Sequence, residues 1–426
     1  VLSLSDADIC KKQKGMNAYL ILIILITMSA VFAYINQKFI KMPFVIGLFF
    51  LTTVVSVLVL VSKLFVPAPY IALKSLVVQT DISKFILDIM LGFLLFAGSL
   101  RTSWPHIKKQ MKQITMFALG GVIVSTILIA VMLYGISNVF NFKIDFLYCL
   151  LFGAIISPTD PIAVLSILTK ANVPEKIETI IVGESLFNDG IGVVIFITLL
   201  ELLNSGNQTI DLSRFGVLFF EQAVGGIFFG LILGLILHYL IRSIDHYETE
   251  ILLMLAFVMG GYFAATELHL SGALAMVVMG ILTGNYKDSS TMSDLSKEYV
   301  YKFWELVDVI LNAVLFILVA LVIVVVDFKT QYVMIGLLSV LIVLISRIII
   351  VFLPKIFLPK TVGLTMHEAK LVVWSGLRGG LSVAMVLSLP DSGAKPELMI
   401  ATYFCVLFSI LVQGLTIKKI ARRKNS

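Results

Sequence analysis

From Asp145 to Leu168 the chain reads DFLYCLLFGAIISPTDPIAVLSIL, an apolar run interrupted at its middle by Ser157-Pro158-Thr159-Asp160-Pro161. A membrane-spanning helix needs about 20 apolar residues at a rise of 1.5 Å each, and the run is long enough. Pro158 cannot donate to the carbonyl of Ala154, nor Pro161 to that of Ser157, so two backbone oxygens lose their helical partners near mid-membrane. Such a break persists only where it lines a cavity or is enclosed by protein. With the carboxylate of Asp160 between the two breakers, the stretch predicts a discontinuous helix. Its freed oxygens suit a small, hard cation that has shed its water.

The rest of the chain has the same apolar character. Of its 426 residues 59% are hydrophobic and 14% charged, with a mean hydropathy of +1.04. Soluble domains carry roughly 45–50% apolar and about 25% charged residues. An all-α polytopic membrane protein is therefore expected. Continuous rather than alternating runs exclude an outer-membrane barrel, and the composition excludes a disordered or disulfide-stapled secreted chain. Windows of spanning length place about 13 transmembrane helices. They lie near residues 17–35, 43–62, 84–100, 114–134, 145–168, 177–203, 214–240, 250–266, 271–285, 303–325, 331–352, 368–389 and 397–417. Residues 1–426 thus form a single transmembrane unit, closed by a short basic tail at 418–426.

An odd number of spans puts the termini on opposite sides. The tail, with Lys418, Lys419, Arg422, Arg423 and Lys424, argues for a cytoplasmic C-terminus and an external N-terminus. Connections then assigned inside hold twice as many lysines and arginines as those outside. The net charge of +6 reflects this topology and implies no nucleic-acid partner. Cys10, Cys149 and Cys405 form no CxxC pair, so neither a disulfide framework nor a bound zinc is expected, and no cofactor is indicated.

Ionisable groups inside spans are costly and mark function. The sixth span carries Gly183-Glu184-Ser185-Leu186-Phe187-Asn188-Asp189-Gly190. Ser185 and Asp189, four residues apart, share one helical stripe, and Glu184 and Asn188 share its neighbour. Packed on the broken fifth span, the first stripe would carry Asp189 and the Ser185 hydroxyl toward Asp160. Arg347, in an otherwise apolar stretch, must be paired; Glu184 is the expected partner, with Asn188 completing the network. In the twelfth span, Trp374-Ser375-Gly376-Leu377-Arg378-Gly379-Gly380-Leu381-Ser382 holds three glycines, each weakening a helix by ~1 kcal/mol relative to alanine. A second discontinuous helix is expected there. It lies seven spans from the first and so has opposite orientation, as in inverted-topology repeats with the substrate at their interface. Arg378 would offset the carbonyl ends of two facing half-helices.

SPTDPIAVLSIL, VGESLFNDGIGVV, the lone arginine at 347 and WSGLRGGLSVAM occur in an order that resembles the monovalent cation:proton antiporters of the NhaP and eukaryotic sodium/proton exchanger type. That resemblance covers essentially the whole transmembrane chain. It implies a homodimer with a dimerisation domain built from the early spans, and an ion-binding core that includes spans 5, 6, 12 and 13. Two broken helices would cross in that core, which moves in elevator fashion. It implies that Asp189 is the ion- and proton-binding aspartate, with Asp160 beside the unwound Thr159 as its partner and Ser185 as a further ligand. Glu184, Asn188 and Arg347 would be the stabilising polar cluster, while Pro158, Pro161, Gly376, Gly379 and Arg378 support the breaks. Where some members place a glutamate in the third span after a phrase like LLF, this chain reads Leu94-Leu95-Phe96-Ala97-Gly98, so a third acidic contribution is in question. Few residues follow the last span, so no large regulatory domain is expected.

The expected activity is secondary-active exchange of a monovalent cation, sodium first, for a proton in a bacterial inner membrane. Protons and cations would compete at Asp160 and Asp189, and the empty, negative pair would not cross. Asn188, standing where electrogenic relatives carry an extra carboxylate, implies one-for-one, electroneutral exchange. Potassium/proton exchange and a passive cation channel use the same oxygens and are the alternatives. The protein is not expected to be an enzyme: no GxGD or GxSG phrase surrounds these residues, and His367-Glu368 lacks the second histidine of HExxH. Glu201, Glu221, Glu267, Glu305 and Asp308 fall in or near spans and most of them are expected near lipid headgroups, while Asp88, near the start of span 3, reads either way.

Overall fold

A computed structural model describes residues 6–63, 65–79, 81–140, 142, 144–160, 165, 168, 173–204, 212–285, 293–326 and 329–421. Among the described residues every regular element is helical. Apart from the short helices Trp104–Lys109 and Pro359–Val362, these are in chain order α1 (Tyr19–Ile40), α2 (Phe44–Ser62), α3 (Pro67–Gln79), α4 (Ile82–Leu100), α5 (Met111–Val139) and α6 (Phe146–Ile156). There follow α7 (Glu175–Asn204), α8 (Ser213–Arg242), α9 (Tyr247–Glu267), α10 (Gly272–Asn285) and α11 (Asp294–Val324). The last are α12 (Gln331–Phe357), α13 (Met366–Ser375), α14 (Gly380–Leu387) and α15 (Lys395–Ala421).

Ten of these helices are long and apolar enough to cross a membrane, and α13 with α14, bent by 42° across a four-residue break, makes eleven. The expected count of thirteen is therefore not reached on length. At the fifth expected span, α6 stops after 11 residues at Ile156, because Pro158 follows two positions later and the backbone leaves the helix at Ser157. Pro161 lies outside the described residues. At the ninth, α10 has only 14 residues. It is parted from α9 by a turn in which His269 takes the left-handed conformation, φ 56°. The helix α3 was not anticipated: its thirteen residues, PAPYIALKSLVVQ, are too short and too mixed to register in a spanning window.

The helices fall into two sets that pack chiefly within themselves. One consists of α5, α6, α7, α12, α13, α14 and α15; the other of α1, α2, α4, α8, α9, α10 and α11. In the second set, α10 sits against α8 and α4 at backbone contact. A Cβ added at Gly226 or Gly230 of α8, or at Gly280 or Gly284 of α10, would stand within 3.0 Å of a facing backbone atom. Trp304 of α11, fully buried, binds the same set together. Its ring stacks edge-on to Phe96 at 4.7 Å, and its Nε1 donates to Met254 Sδ at 3.2 Å. Where the two sets touch, leucines seat over glycines: Leu274 of α10 on Gly190 of α7, and Leu315 of α11 on Gly380 of α14.

Polar contacts sort the connections into two ends. At one, His106 Nδ1 meets Glu175 at 2.9 Å, Lys176 Nζ donates to the Gly363 carbonyl at 2.6 Å, and His367 Nε2 lies 3.0 Å from the Ile420 carbonyl. There too Ser296 Oγ donates to Asp245 at 3.2 Å, beside the start of α11. At the other end Gln222 joins Glu201 at 3.3 Å, the Ser271 N–H donates to the Gln222 carbonyl at 3.1 Å, and Tyr262 Oη donates to the Leu87 carbonyl.

Candidate functional site

The site begins where the backbone has no helix to bond with. After α6 ends, Ser157 to Asp160 run without regular structure against the α13–α14 break, whose chain is likewise unwound from Gly376 to Gly379. The two stretches satisfy one another. The Asp160 N–H donates to the Leu377 carbonyl at 2.8 Å. Arg378 Nη1 donates to the carbonyls of Ser157 and of Pro158, the latter at 2.9 Å. Ser382 Oγ donates to the Ile155 carbonyl at 2.7 Å. A fully buried guanidinium thus supplies the donors that the prolines and the helix end leave missing, as buried backbone carbonyls require. Gly379 makes the approach possible: a Cβ there would lie 2.6 Å from that of Asp160.

The long helix α7 brings the remaining polar groups. Thr159 is fixed from three directions. Its N–H donates to Asn188 Oδ1 at 3.2 Å, its Oγ1 accepts from Asn188 Nδ2 at 2.7 Å, and that hydroxyl lies 3.0 Å from Ser185 Oγ. Gly192, one turn beyond Asn188, leaves room for the ring of Pro158, which a Cβ would strike. Arg347 of α12 reaches Glu184 through both terminal nitrogens: Nη1 to Oε1, and Nη2 to Oε2 at 3.1 Å. Arg347 Nη2 also donates to the Val372 carbonyl at 3.1 Å. Gly376 lets the α13 end close over that guanidinium, since a Cβ would fall 2.6 Å from Arg347 Nε.

Asn188 therefore bonds to the unwound Thr159, not to the Arg347–Glu184 pair as the helical stripes suggested. The unwound backbone offers an N–H with no helical acceptor, and that donor draws the amide.

Thr159, Glu184, Ser185, Asn188, Arg347 and Arg378 are buried, each at 6% exposure or less. Asp160 and Asp189 alone in this cluster keep partial exposure, and both open on one cavity of about 860 Å³. The charges of Asp160 and Arg378 both act on Asp189. Two carboxylates with hydroxyls behind them, facing a cavity, can hold a monovalent cation or a proton. Among the described residues no cluster of three or more His, Cys, Asp or Glu side chains is placed to hold a resident metal ion.

The cavity runs from the aspartates to the end of the molecule carrying His106 and Glu175. Its wall includes Arg101, Glu178, Glu305 and Asp308. Asp308 is not an interfacial residue: it is 8% exposed, ion-paired to Arg101 and accepts from Asn312 Nδ2 at 2.8 Å. A sequence signal for it existed. Ser296, Val300, Trp304, Asp308 and Asn312 recur every four residues and are the buried stripe of α11's first half.

The chain is 39% identical over 403 residues to the Na(+)/H(+) antiporter NhaP of Pseudomonas aeruginosa, covering 93% of this chain and 95% of that protein. It is 37% identical over 356 residues to the Na(+)/H(+) antiporter NhaH of Halobacillus dabanensis, at 82% and 84% coverage. Its fold superposes on the sodium proton antiporter MjNhaP1 from Methanocaldococcus jannaschii with a TM-score of 0.71 at 19% identity, over 96% of this chain and 98% of that one. The family described as "Sodium/hydrogen exchanger, transmembrane" matches residues 25–423. With its motifs, its paired unwound stretches and this match over nearly its whole length, the chain belongs to the sodium/hydrogen exchanger family.

Proposed function

We propose that the protein exchanges sodium for protons across a bacterial plasma membrane, one for one, through competition of the two ions for Asp160 and Asp189. The observation that carries this reading is that, of the buried polar cluster, these two carboxylates alone keep exposure, and they share it on one cavity. Ser185 and Thr159 complete an oxygen-lined seat behind them. Glu184 with Arg347 holds the rotation of α7, and Asn188 holds Thr159. A vacant pair of carboxylates is costly to carry through a dry barrier, so the loaded forms cross and the empty form does not. Asn188 adds no charge of its own, which supports electroneutral exchange.

Elevator-type movement is supported by the division of the helices into two sets that pack chiefly within themselves. In this reading the set containing α6, α7, α13, α14 and α15 is the moving core, and the set with α1 and α2 mediates a homodimer within the lipid bilayer. The lysine- and arginine-rich connections lie at the end to which the cavity opens, so that end is cytoplasmic and the N-terminus external.

Proteoliposomes containing a pH dye test the proposal. An imposed sodium gradient should drive uphill proton movement that an imposed membrane potential leaves unchanged, while Asp189→Asn or Asp160→Asn abolishes it in folded protein. Cation-by-cation comparison separates sodium from potassium exchange. A current that collapses the gradient would mark a channel, and full transport by Asp189→Asn would refute the site.

A further inference from the structure

Three segments line not one cavity but two. The wide one takes Leu91 and Leu94 from α4, Val182, Leu186 and Asp189 from α7, and Gly380 to Ser382 from α14. A second cavity, of about 210 Å³, takes Leu87 and Asp88 from α4, Val193, Ile197 and Glu201 from α7, and Met385 from α14. On α7 six of the lining residues, at 182, 186, 189, 193, 197 and 201, recur every three or four positions and so form one continuous stripe through both cavities. Between Asp189, where the wide cavity ends, and Val193, where the small one begins, lies one turn, about 6 Å of helix. The two cavities are thus collinear along the same three elements and pinched beside the aspartates.

The small cavity lies at the end away from His106. There the two helix sets are joined by a side-chain bond: Gln222 Nε2 of α8 donates to Glu201 Oε1 of α7 at 3.3 Å. Gln222 is 6% exposed, and its backbone is held separately by the Ser271 N–H. The amide is therefore fixed in place, and parting of α7 from α8 must break its bond to Glu201.

We infer that the small cavity is the closed far end of the ion path, and that the Glu201–Gln222 hydrogen bond is the latch that keeps it closed while the wide cavity is open. This rests on the exchange reading, and Glu201 acts in it as a positioning residue. Among the described residues this bond links polar groups of that cavity across the two sets, and opening must undo it, whereas Val193, Ile197 and Met385 separate by simple loss of apolar contact.

The test places a reporter in the pinch. With Val193→Cys, a membrane-impermeant thiol reagent is added from either side of proteoliposomes, and the parent without that change supplies the background from the native cysteines. Val193→Cys should react slowly, and only from the Glu201 side. Gln222→Ala or Glu201→Ala should speed that reaction about tenfold or more, as loss of a hydrogen bond to a charged group requires. The exchanged pair, Glu201→Gln with Gln222→Glu, should restore the slow rate, which mere loosening of the fold would not. Reaction only from the His106 side, or equal rates in Val193→Cys alone and in both alanine variants built on it, would overturn the inference. Labelling is read without transport, so a chain inert in the dye assay would refute exchange and leave the labelling pattern to judge the latch.

Discussion

Replacing Arg347 with alanine is the sharpest perturbation of the scaffold beneath the aspartates. It removes both donors to Glu184, one of them at 3.1 Å, and the 3.1 Å bond to the Val372 carbonyl. Glu184 is 1% exposed and Arg347 6%, so neither group can turn to water. Breaking a buried pair by deleting one partner costs about 3–5 kcal/mol, because the survivor stays charged and uncompensated. Glu184→Ala strands the guanidinium and should cost a similar amount. The double variant leaves no unpaired charge, so its loss should be well short of the sum of the single losses and no larger than that of the worse single variant. Thermal denaturation of detergent-purified protein, followed by size-exclusion chromatography, ranks the four forms without converting temperatures to energies. If the two single losses simply added in the double variant, the pair would not be coupled and its role as a clamp on α7 would be refuted.

Three further outcomes follow from the geometry. Gly379→Ala should slow or abolish exchange, since the new Cβ meets Asp160, whereas Gly135→Ala, which faces open space, should transport like the parent in the same dye assay. Asn188→Ala strips Thr159 of two hydrogen bonds and leaves its buried N–H unsatisfied, at about 1–3 kcal/mol; sodium titration should show a raised KM, and an unchanged KM would remove Thr159 from the seat. Gly284→Ala drives a methyl into the Leu100 carbonyl and should destabilise the fold by at least the about 1–3 kcal/mol of ordinary overpacking, read as a lowered Tm.

The parts of this architecture legible in the sequence are those where a local rule is broken at a cost. Proline at 158 and glycines at 376, 379 and 380 in apolar runs marked the unwound stretches, because nothing else stabilises such residues in mid-membrane. Arg347 announced a buried acid for the same reason. What escaped was set by tertiary geometry. The partner of Asn188 depended on which backbone donor the breaks exposed, which helical spacing does not reveal. Asp308 read as interfacial because charged residues crowd the start of α11; only its four-residue register with Trp304 shows that it points inward. The helix α3 fell below the length at which apolarity alone announces a helix, and the depth at which α6 stops was governed by proline chemistry, not by its apolar length.

The glycines of α8 and α10 set two kinds of surface side by side. Where α4, α8 and α10 meet main chain to main chain, few side-chain torsions stand between the helices that could be reset, and in the exchange reading the joint would serve as a fixed bearing. Where α10 and α11 meet α7 and α14, a leucine drops into a glycine notch at Gly190 and again at Gly380. A branched aliphatic tip can climb out of such a notch by changing rotamer and settle elsewhere with little penalty. In the exchange reading, sliding of one set on the other would then meet its resistance at these methyl groups and at the Glu201–Gln222 bond, with the stiffness in the slab behind them.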